Sequence, residues 1–291
     1  AITMKHPGAP EVLESQTVTL AWPGDEDHVL VRLKTAGVNQ ADAYFRSFGP
    51  YVGDGKGCIL GHDGAGVVEA VGPSVNRVKT GDEVCFCYGG IGAVPGTYAE
   101  FAVVPETLLV PKPPQVSFVV AAALPLVFIT MWEALFERAR VTQGEYVLIH
   151  AGAGGTGHMG IQVAKKLGGR VAATVSTPQK AEFVSKLGVE EPIIYRETDF
   201  VTAARRWTGG RGLDVALDNL GAKAMQHTFR AMAPYGRVVT LMGTPADVED
   251  LVAYNQNLSL LNVMMLTPMW HGLANRMVHQ AEMVQKGMIW L

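Results

Sequence analysis

The run Ala151–Gly160, AGAGGTGHMG, concentrates the residues of this sequence that are able to cradle a phosphate. Gly155, Gly157 and Gly160 satisfy G-x-G-x-x-G, with Gly154 and Thr156 in the same turn. In such a motif the first glycine makes a tight turn and the second lets backbone approach a pyrophosphate. The third lets a helix pack close to a strand. Amide N–H groups at the helix start then face the phosphates, aided by the helix dipole. Ordinary glycine-rich turns match this pattern too, so context decides. Here the apolar run Tyr146–His150 reads as a buried strand before the glycines, and Ile161–Leu167 reads as a helix after them. The next strand, Arg170–Val175, ends at Ser176, with Lys180 at the following helix start. An NAD-selective site carries an acid there, about 20 residues past the glycines, for the ribose 2′-hydroxyl. No acid stands there in this chain. A hydroxyl and an ammonium suit a 2′-phosphate that a carboxylate would repel, so the spacing predicts NADPH. The competing reading of Lys180 is a solvated surface lysine.

These residues need a scaffold, and 291 residues are enough for two cores. Lys and Arg number 24 against 27 Asp and Glu, a formal net charge of −3 without a basic block. Neither nucleic acid nor an anionic membrane is expected as a partner. Three cysteines, Cys58, Cys85 and Cys87, are too few for a disulfide framework. The start of the chain lacks a signal pattern, and the most apolar run, 119–130, is broken by Pro125 and too short for a bilayer. A soluble, cytoplasmic α/β protein is expected.

Residues 1–110 read as β-rich, with strands at Val29–Lys34, Gly66–Val71, Glu83–Cys87 and Tyr98–Val103. Short strands with frequent turn signals suggest a partly open barrel. The PKPP stretch Pro111–Pro114 reads as a linker. Beyond it Ser117 is placed to cap one helix, and another is expected from Thr130 to Arg138. Strands at 146–150, 170–175, 192–195, 213–218 and 236–241 then alternate with helices at 158–168, 178–187, 198–207 and 223–232. That alternation predicts a doubly wound parallel sheet. A further strand is expected at Leu258–Leu266 and a helix at Met269–Lys286.

The stretches Ala36-Gly37-Val38-Asn39-Gln40-Ala41-Asp42-Ala43-Tyr44-Phe45-Arg46-Ser47, Gly61-His62-Asp63-Gly64-Ala65-Gly66-Val67-Val68 and Ala151–Gly157 follow one another in order. On them the chain resembles the medium-chain dehydrogenase/reductase superfamily, in its zinc-independent quinone oxidoreductase branch related to zeta-crystallin. The resemblance spans essentially the whole chain. It implies a GroES-like β-rich catalytic domain over 1–113 and a Rossmann NADP-binding domain over 114–250. Residues 251–291 would finish the Rossmann sheet and return toward the catalytic domain, with the family's C-terminal part missing after Leu291. It also implies a homodimer. Among site residues it adds Tyr195 to Ser176 and Lys180 at the 2′-phosphate, and places Asn39, Asp42 and Tyr44 beside the nicotinamide and the acceptor. Tyr44 would donate a hydrogen bond to the acceptor oxygen, or else pack as an aromatic side chain. Thr130 would touch the nicotinamide side, Phe128 and Leu126 would form an apolar wall, and Gly243 would let the ring lie close to backbone. Asn219 lies in the loop after the strand 213–218, expected over the cofactor crevice.

The alcohol-dehydrogenase branch holds a catalytic zinc with Cys, His and Cys. Here Asn39 and the apolar Leu126 stand at the two cysteine positions and His62 alone remains. His62 is either a hydrogen-bonding histidine near the pocket or a ligand completed by Asp42, Asp63 or a cysteine. Cys85 and Cys87 read as packed core thiols, and Cys58, in a glycine-rich loop that leaves exposure open, is assigned no role. Without a metal the accessible chemistry is hydride transfer to a quinone or an α,β-unsaturated carbonyl, with the protein positioning the cofactor. A zinc alcohol dehydrogenase and a non-catalytic, crystallin-like NADPH-binding protein are the alternatives.

Overall fold

The computed structural model describes residues 1–20, 27–49, 58–92, 94–243 and 251–290. The chain divides into two compact units, Ala1–Ile129 with Leu266–Leu291, and Thr130–Met265. The first unit opens with β1 (Ile2–Met4), β2 (Leu13–Ser15), β3 (His28–Ala36), α1 (Gln40–Phe48), β4 (Cys58–Ile59), β5 (Asp63–Val71), β6 (Glu83–Cys87), β7 (Phe101–Pro105) and β8 (Val110–Pro111). These strands form a three-stranded sheet, β2-β1-β4, and a five-stranded antiparallel sheet, β7-β3-β5-β6-β8. Alternation sets the faces: Val29 and Val31 of β3 point into a core with Val68, Val84, Phe86 and Val104. The expected strand at Tyr98–Val103 starts later, at Phe101, because the backbone of Thr97 and Tyr98 bonds instead to Gly61 and Leu60. Cys58 is buried in β4 rather than exposed, its thiol directed at the Gly92 carbonyl.

The proline-rich stretch lies inside the first unit. Lys112 is buried, donates to the carbonyls of Pro113 (3.1 Å) and Val116 (2.7 Å), and pairs with Glu83 at 2.8 Å. The division between the units falls later, after Ile129. Helices α2 (Phe118–Ala123, capped by Ser117) and α3 (Pro125–Met131) precede it, with Pro125 accommodated at the start of α3. The helix expected over 130–138 is α3 running into a π-helical turn, Trp132–Arg138, where the Ala139 N–H reaches back to the Ala134 carbonyl.

The second unit continues with β9 (Tyr146–Ile149), α4 (Gly155–Lys166), β10 (Arg170–Val175), α5 (Pro178–Lys186), β11 (Glu191–Ile194), α6 (Phe200–Trp207), β12 (Leu213–Asp218), α7 (Ala222–Ala231), β13 (Met232–Thr240), α8 (Leu251–Asn255) and β14 (Ser259–Asn262). The six strands pair in parallel in the order β11-β10-β9-β12-β13-β14. This is the doubly wound Rossmann order, which reverses direction at β9 and leaves a crevice beyond the strands' carboxyl ends. Small and β-branched residues make the central strands β9, β10 and β12 buried on both faces, as parallel strands covered by helices must be. The chain then re-enters the first unit as α9 (Thr267–Trp270) and α10 (Ala274–Trp290), separated at Gly272 by its φ of +61°. The helix expected over 269–286 is therefore two helices. The expected end of the nucleotide-binding domain at 250 lies outside the described residues.

Candidate active site

The phosphate-binding turn follows from backbone sterics. A Cβ on Gly157 would stand 2.1 Å from the Ala151 carbonyl oxygen, and one on Gly152 would stand 2.7 Å from the Ala173 methyl. Gly160 lets α4 approach the sheet, since a Cβ there would come within 2.9 Å of Met131 Sδ and 3.2 Å of Leu217. The tight turn itself is not made by Gly155, which already begins α4. The left-handed residue is Ala151, at φ +51°. Gly154 precedes the helix and offers no side chain to cap its first N–H groups. Twelve residues of helix thus begin with amide donors set for an anion. This cradle fits the diphosphate of a dinucleotide.

Beside the turn lies a cavity of about 660 Å³, wholly within the second unit. Gly154, Ser176, Lys180 and Tyr195 line it, together with Asp199, Lys223 and His227. Ser176 follows β10 directly, and Lys180 sits in the first turn of α5, capped by Thr177. Asp199 is the one carboxylate among the described lining residues. Its Oδ2 accepts from both the N–H and the hydroxyl of Thr202 (2.8 Å each) as it caps α6, which holds its carboxyl below the usual range. Lys223 and His227 are one helical turn apart on α7. The four-residue spacing was there to be read, but without the fold nothing aimed that face at the cofactor turn. Asn219 donates from Nδ2 to the His150 carbonyl (2.8 Å), while its Oδ1 is buried without a partner. Gly243 has φ +73° and open space at its Cβ position, so its backbone conformation alone accounts for glycine.

In the first unit, buried acids organise a polar cluster. Asp42 is 3% exposed. It accepts from the Asn39 N–H (2.7 Å), the Tyr98 hydroxyl (3.0 Å) and the Gly61 N–H (3.1 Å). Asp63 accepts from Asn39 Nδ2 (2.7 Å), the Leu126 N–H (2.9 Å) and the Cys87 thiol. Burial outweighs these bonds and pushes the Asp63 carboxyl up to about 7. Burial, with the Asp63 charge, also raises Cys85 to about 12 and Cys87 well above the thiol range. His62 is fully buried. Its Nδ1 donates to the Gly89 carbonyl (2.7 Å), and its Nε2 lies 3.7 Å from Asp42 Oδ1 without a hydrogen bond.

The structure thus gathers Ser176, Lys180, Tyr195 and Gly154 around one cavity. Asn39, Asp42 and His62 form a second group inside the first unit. Asp42, expected beside the acceptor, is an internal acceptor for three donors. Phe128 and Leu126, expected as a pocket wall, are buried, and the Phe128 ring packs edge-on to Trp290 at 5.5 Å. Thr130 is buried at the start of the second unit. Tyr44 is 49% exposed on α1, its ring 4.9 Å from that of Phe48. Thr174 and Asp199 were missed, since nothing in a linear sequence joins them to the glycine turn; His150 directly precedes that turn, but reads only as the last residue of an apolar strand.

The family model for the alcohol dehydrogenase GroES-like domain matches residues 25–114, and that for zinc-binding dehydrogenase matches residues 155–279. A 2-haloacrylate reductase from Burkholderia sp is 34% identical over 283 residues, covering 95% of this chain and 83% of its own. The chain belongs to the medium-chain dehydrogenase/reductase superfamily, in its quinone oxidoreductase branch. A quinone oxidoreductase from Pseudomonas aeruginosa is 37% identical over 233 residues, 80% of this chain and 70% of its own. The crystal structure of a Pseudomonas syringae quinone oxidoreductase superposes with a TM-score of 0.85 at 34% identity, over 99% of this chain and 85% of that one. As a member of this family the protein is an oxidoreductase, and the family implies a nicotinamide cofactor. No helix among the described residues is long and apolar enough to cross a membrane.

Proposed function

We propose that this protein is an NADPH-dependent, zinc-independent reductase acting on quinones or α,β-unsaturated carbonyl compounds. The observation that carries the cofactor choice is the cavity beside the glycine turn. It presents Ser176, Lys180 and Lys223, and the one carboxylate among its described lining residues, Asp199, caps α6. Tyr195, from the end of β11, completes the wall that would receive a 2′-phosphate. Gly154, Gly155, Thr156 and Gly157 would hold the diphosphate, and Asn219 Oδ1 would accept from a cofactor hydroxyl or amide.

The donor set of the first unit does not suit zinc. Asn39 turns its amide to Asp63, Leu126 brings only its backbone N–H, and the oxygens of Asp42 and Asp63 are already bonded to donors. Among the described residues no three His, Cys, Asp or Glu side chains converge as ligands. The nicotinamide supplies the hydride when it is bound. Tyr44 would donate a hydrogen bond to the acceptor oxygen as negative charge develops there, and Asn39, fixed by Asp63 at 2.7 Å, would orient the acceptor. The similarity to a 2-haloacrylate reductase, whose named substrate carries a conjugated double bond, supports an activated acceptor. The resemblance also supports a homodimer through an edge of the parallel sheet.

The test is NADPH oxidation by chelator-treated protein, with an ortho-quinone and a simple enone run side by side. Turnover of either is expected, and Lys180→Glu is expected to raise the NADPH Kd by about tenfold or more while moving the NADH Kd little. Activity that chelation abolishes and zinc restores would return the chain to the alcohol-dehydrogenase reading. NADH bound as tightly as NADPH would remove the 2′-phosphate assignment.

A further inference from the structure

His150 directly follows β9 and leads into the glycine turn, and its imidazole is bonded to β10 on one side and to α7 on the other. It is 1% exposed, yet both ring nitrogens are satisfied. Nδ1 is 3.1 Å from Thr174 Oγ1 on β10, and Nε2 is 2.9 Å from Thr228 Oγ1 on α7. The hydrogens can be placed by elimination. Thr228 spends its own proton on the Ala224 carbonyl, 2.8 Å away, so toward His150 it can only accept. His150 therefore carries its proton on Nε2, and bare Nδ1 accepts from the Thr174 hydroxyl. Thr174 Oγ1 in turn accepts from the Ala151 N–H at 3.2 Å.

The peptide joining His150 to Ala151 is thereby held at both ends. Its N–H is bound by Thr174, and its carbonyl accepts from Asn219 Nδ2 at 2.8 Å. This peptide leads into Ala151, whose left-handed φ of +51° is strained for a non-glycine residue. The Ala151 carbonyl is also the atom that excludes a side chain at Gly157 and accepts from the Gly154 N–H.

We propose that His150 is a positioning residue for the dinucleotide turn: as a neutral imidazole with its proton on Nε2, it locks the Thr174 hydroxyl that fixes the 150–151 peptide and hence the turn that receives the cofactor's phosphates. Burial agrees with the neutral form, holding the imidazole down at about 4 against the opposing charge of Asp218. A charged histidine would attract phosphate directly. A buried neutral one acts through geometry.

The inference rests on the nicotinamide-dinucleotide reading of the turn, and its test separates the two. Thr228→Val keeps the shape of the side chain and removes the acceptor, whereas Thr228→Ser keeps the acceptor and removes a methyl. NADPH affinity would be read by fluorescence titration, with thermal melts to confirm folding. Thr228→Val is expected to raise the NADPH Kd about tenfold, the worth of one buried hydrogen bond, and Thr228→Ser to stay within about twofold. The opposite order, or wild-type affinity in a folded Thr228→Val, would overturn the proposal, because it would leave only packing. A second readout needs no cofactor: ¹⁵N NMR of the histidine rings in the wild-type protein should show His150 as a single Nε2–H tautomer at pH 7. An Nδ1–H tautomer or an imidazolium would also overturn it. Failure of the wild-type protein to bind either NADPH or NADH would defeat the cofactor reading, while the tautomer would still report on the relay.

Discussion

Asp63 shows how one side chain is reassigned once its surroundings are known. In the sequence it is the acid after a histidine, a possible completion of a metal site. In the fold it gathers Asn39, the Leu126 N–H and Cys87 around one buried carboxylate. Its carboxyl is raised to about 7, so the folded protein holds a proton that the unfolded chain releases near 4. The sign follows from linkage. The group's contribution to stability is fully present below the unfolded value and is lost as pH rises through the folded one, at up to ~1.4 kcal/mol per pH unit. In urea melts at pH 4.5 and 7.5, the stability of wild type relative to Asp63→Asn should fall at the higher pH. A difference that stays level across that window would mean that Asp63 ionises at its ordinary pH.

At the scale of elements, the join between β9 and α4 concentrates the constraints. Gly152, Gly157 and Gly160 each face atoms that a Cβ would strike, for three reasons: contact with β10, closure of the turn, and seating of the helix on Ile149 and Leu217. The nearest obstacle to Gly157 is backbone, which cannot swing aside. Gly157→Ala should therefore displace the turn, raise the NADPH Kd by at least about tenfold and cost on the order of 2 kcal/mol. Calorimetry of the variant with and without NADPH checks both, and unchanged binding would show that the turn has more room than its 2.1 Å contact allows. The motif's glycines were legible in the sequence. Ala151 as the left-handed residue was not, because a non-glycine is held there by Thr174 and Asn219, both far along the chain.

For the whole molecule, the chain divides into two compact units that carry different groups of candidate residues. The cavity's lining residues all fall in Thr130–Met265, whereas the buried cluster of Asn39, Asp42, His62 and Asp63 belongs to the other unit. Ligand that binds only the native state stabilises it by about 2.7 kcal/mol at a hundredfold excess over Kd, and most strongly slows opening where it makes contact. Hydrogen exchange with saturating NADPH should thus slow most at 150–157, 174–180 and 219–221. Protection spread evenly over both units, with no maximum at these segments, would argue against the cavity as the place that receives the 2′-phosphate.

Local patterns were enough to determine the parallel sheet, the glycine-rich join between β9 and α4, and the position of Ser176 and Lys180 just after β10. Periodicity and turn chemistry act over a few residues, and those features need nothing more distant. Hydrogen bonds and burial between remote segments decided the rest. Lys112 ties the proline-rich stretch into the first unit, which moves the division between units to Ile129. Asp42 turns inward because Gly61 and Tyr98, distant in sequence, donate to it. His150 acquires a role only because β10 and α7 bring one threonine to each of its nitrogens. A sequence records which groups a chain carries, and folding determines which of them are left with no partner but each other.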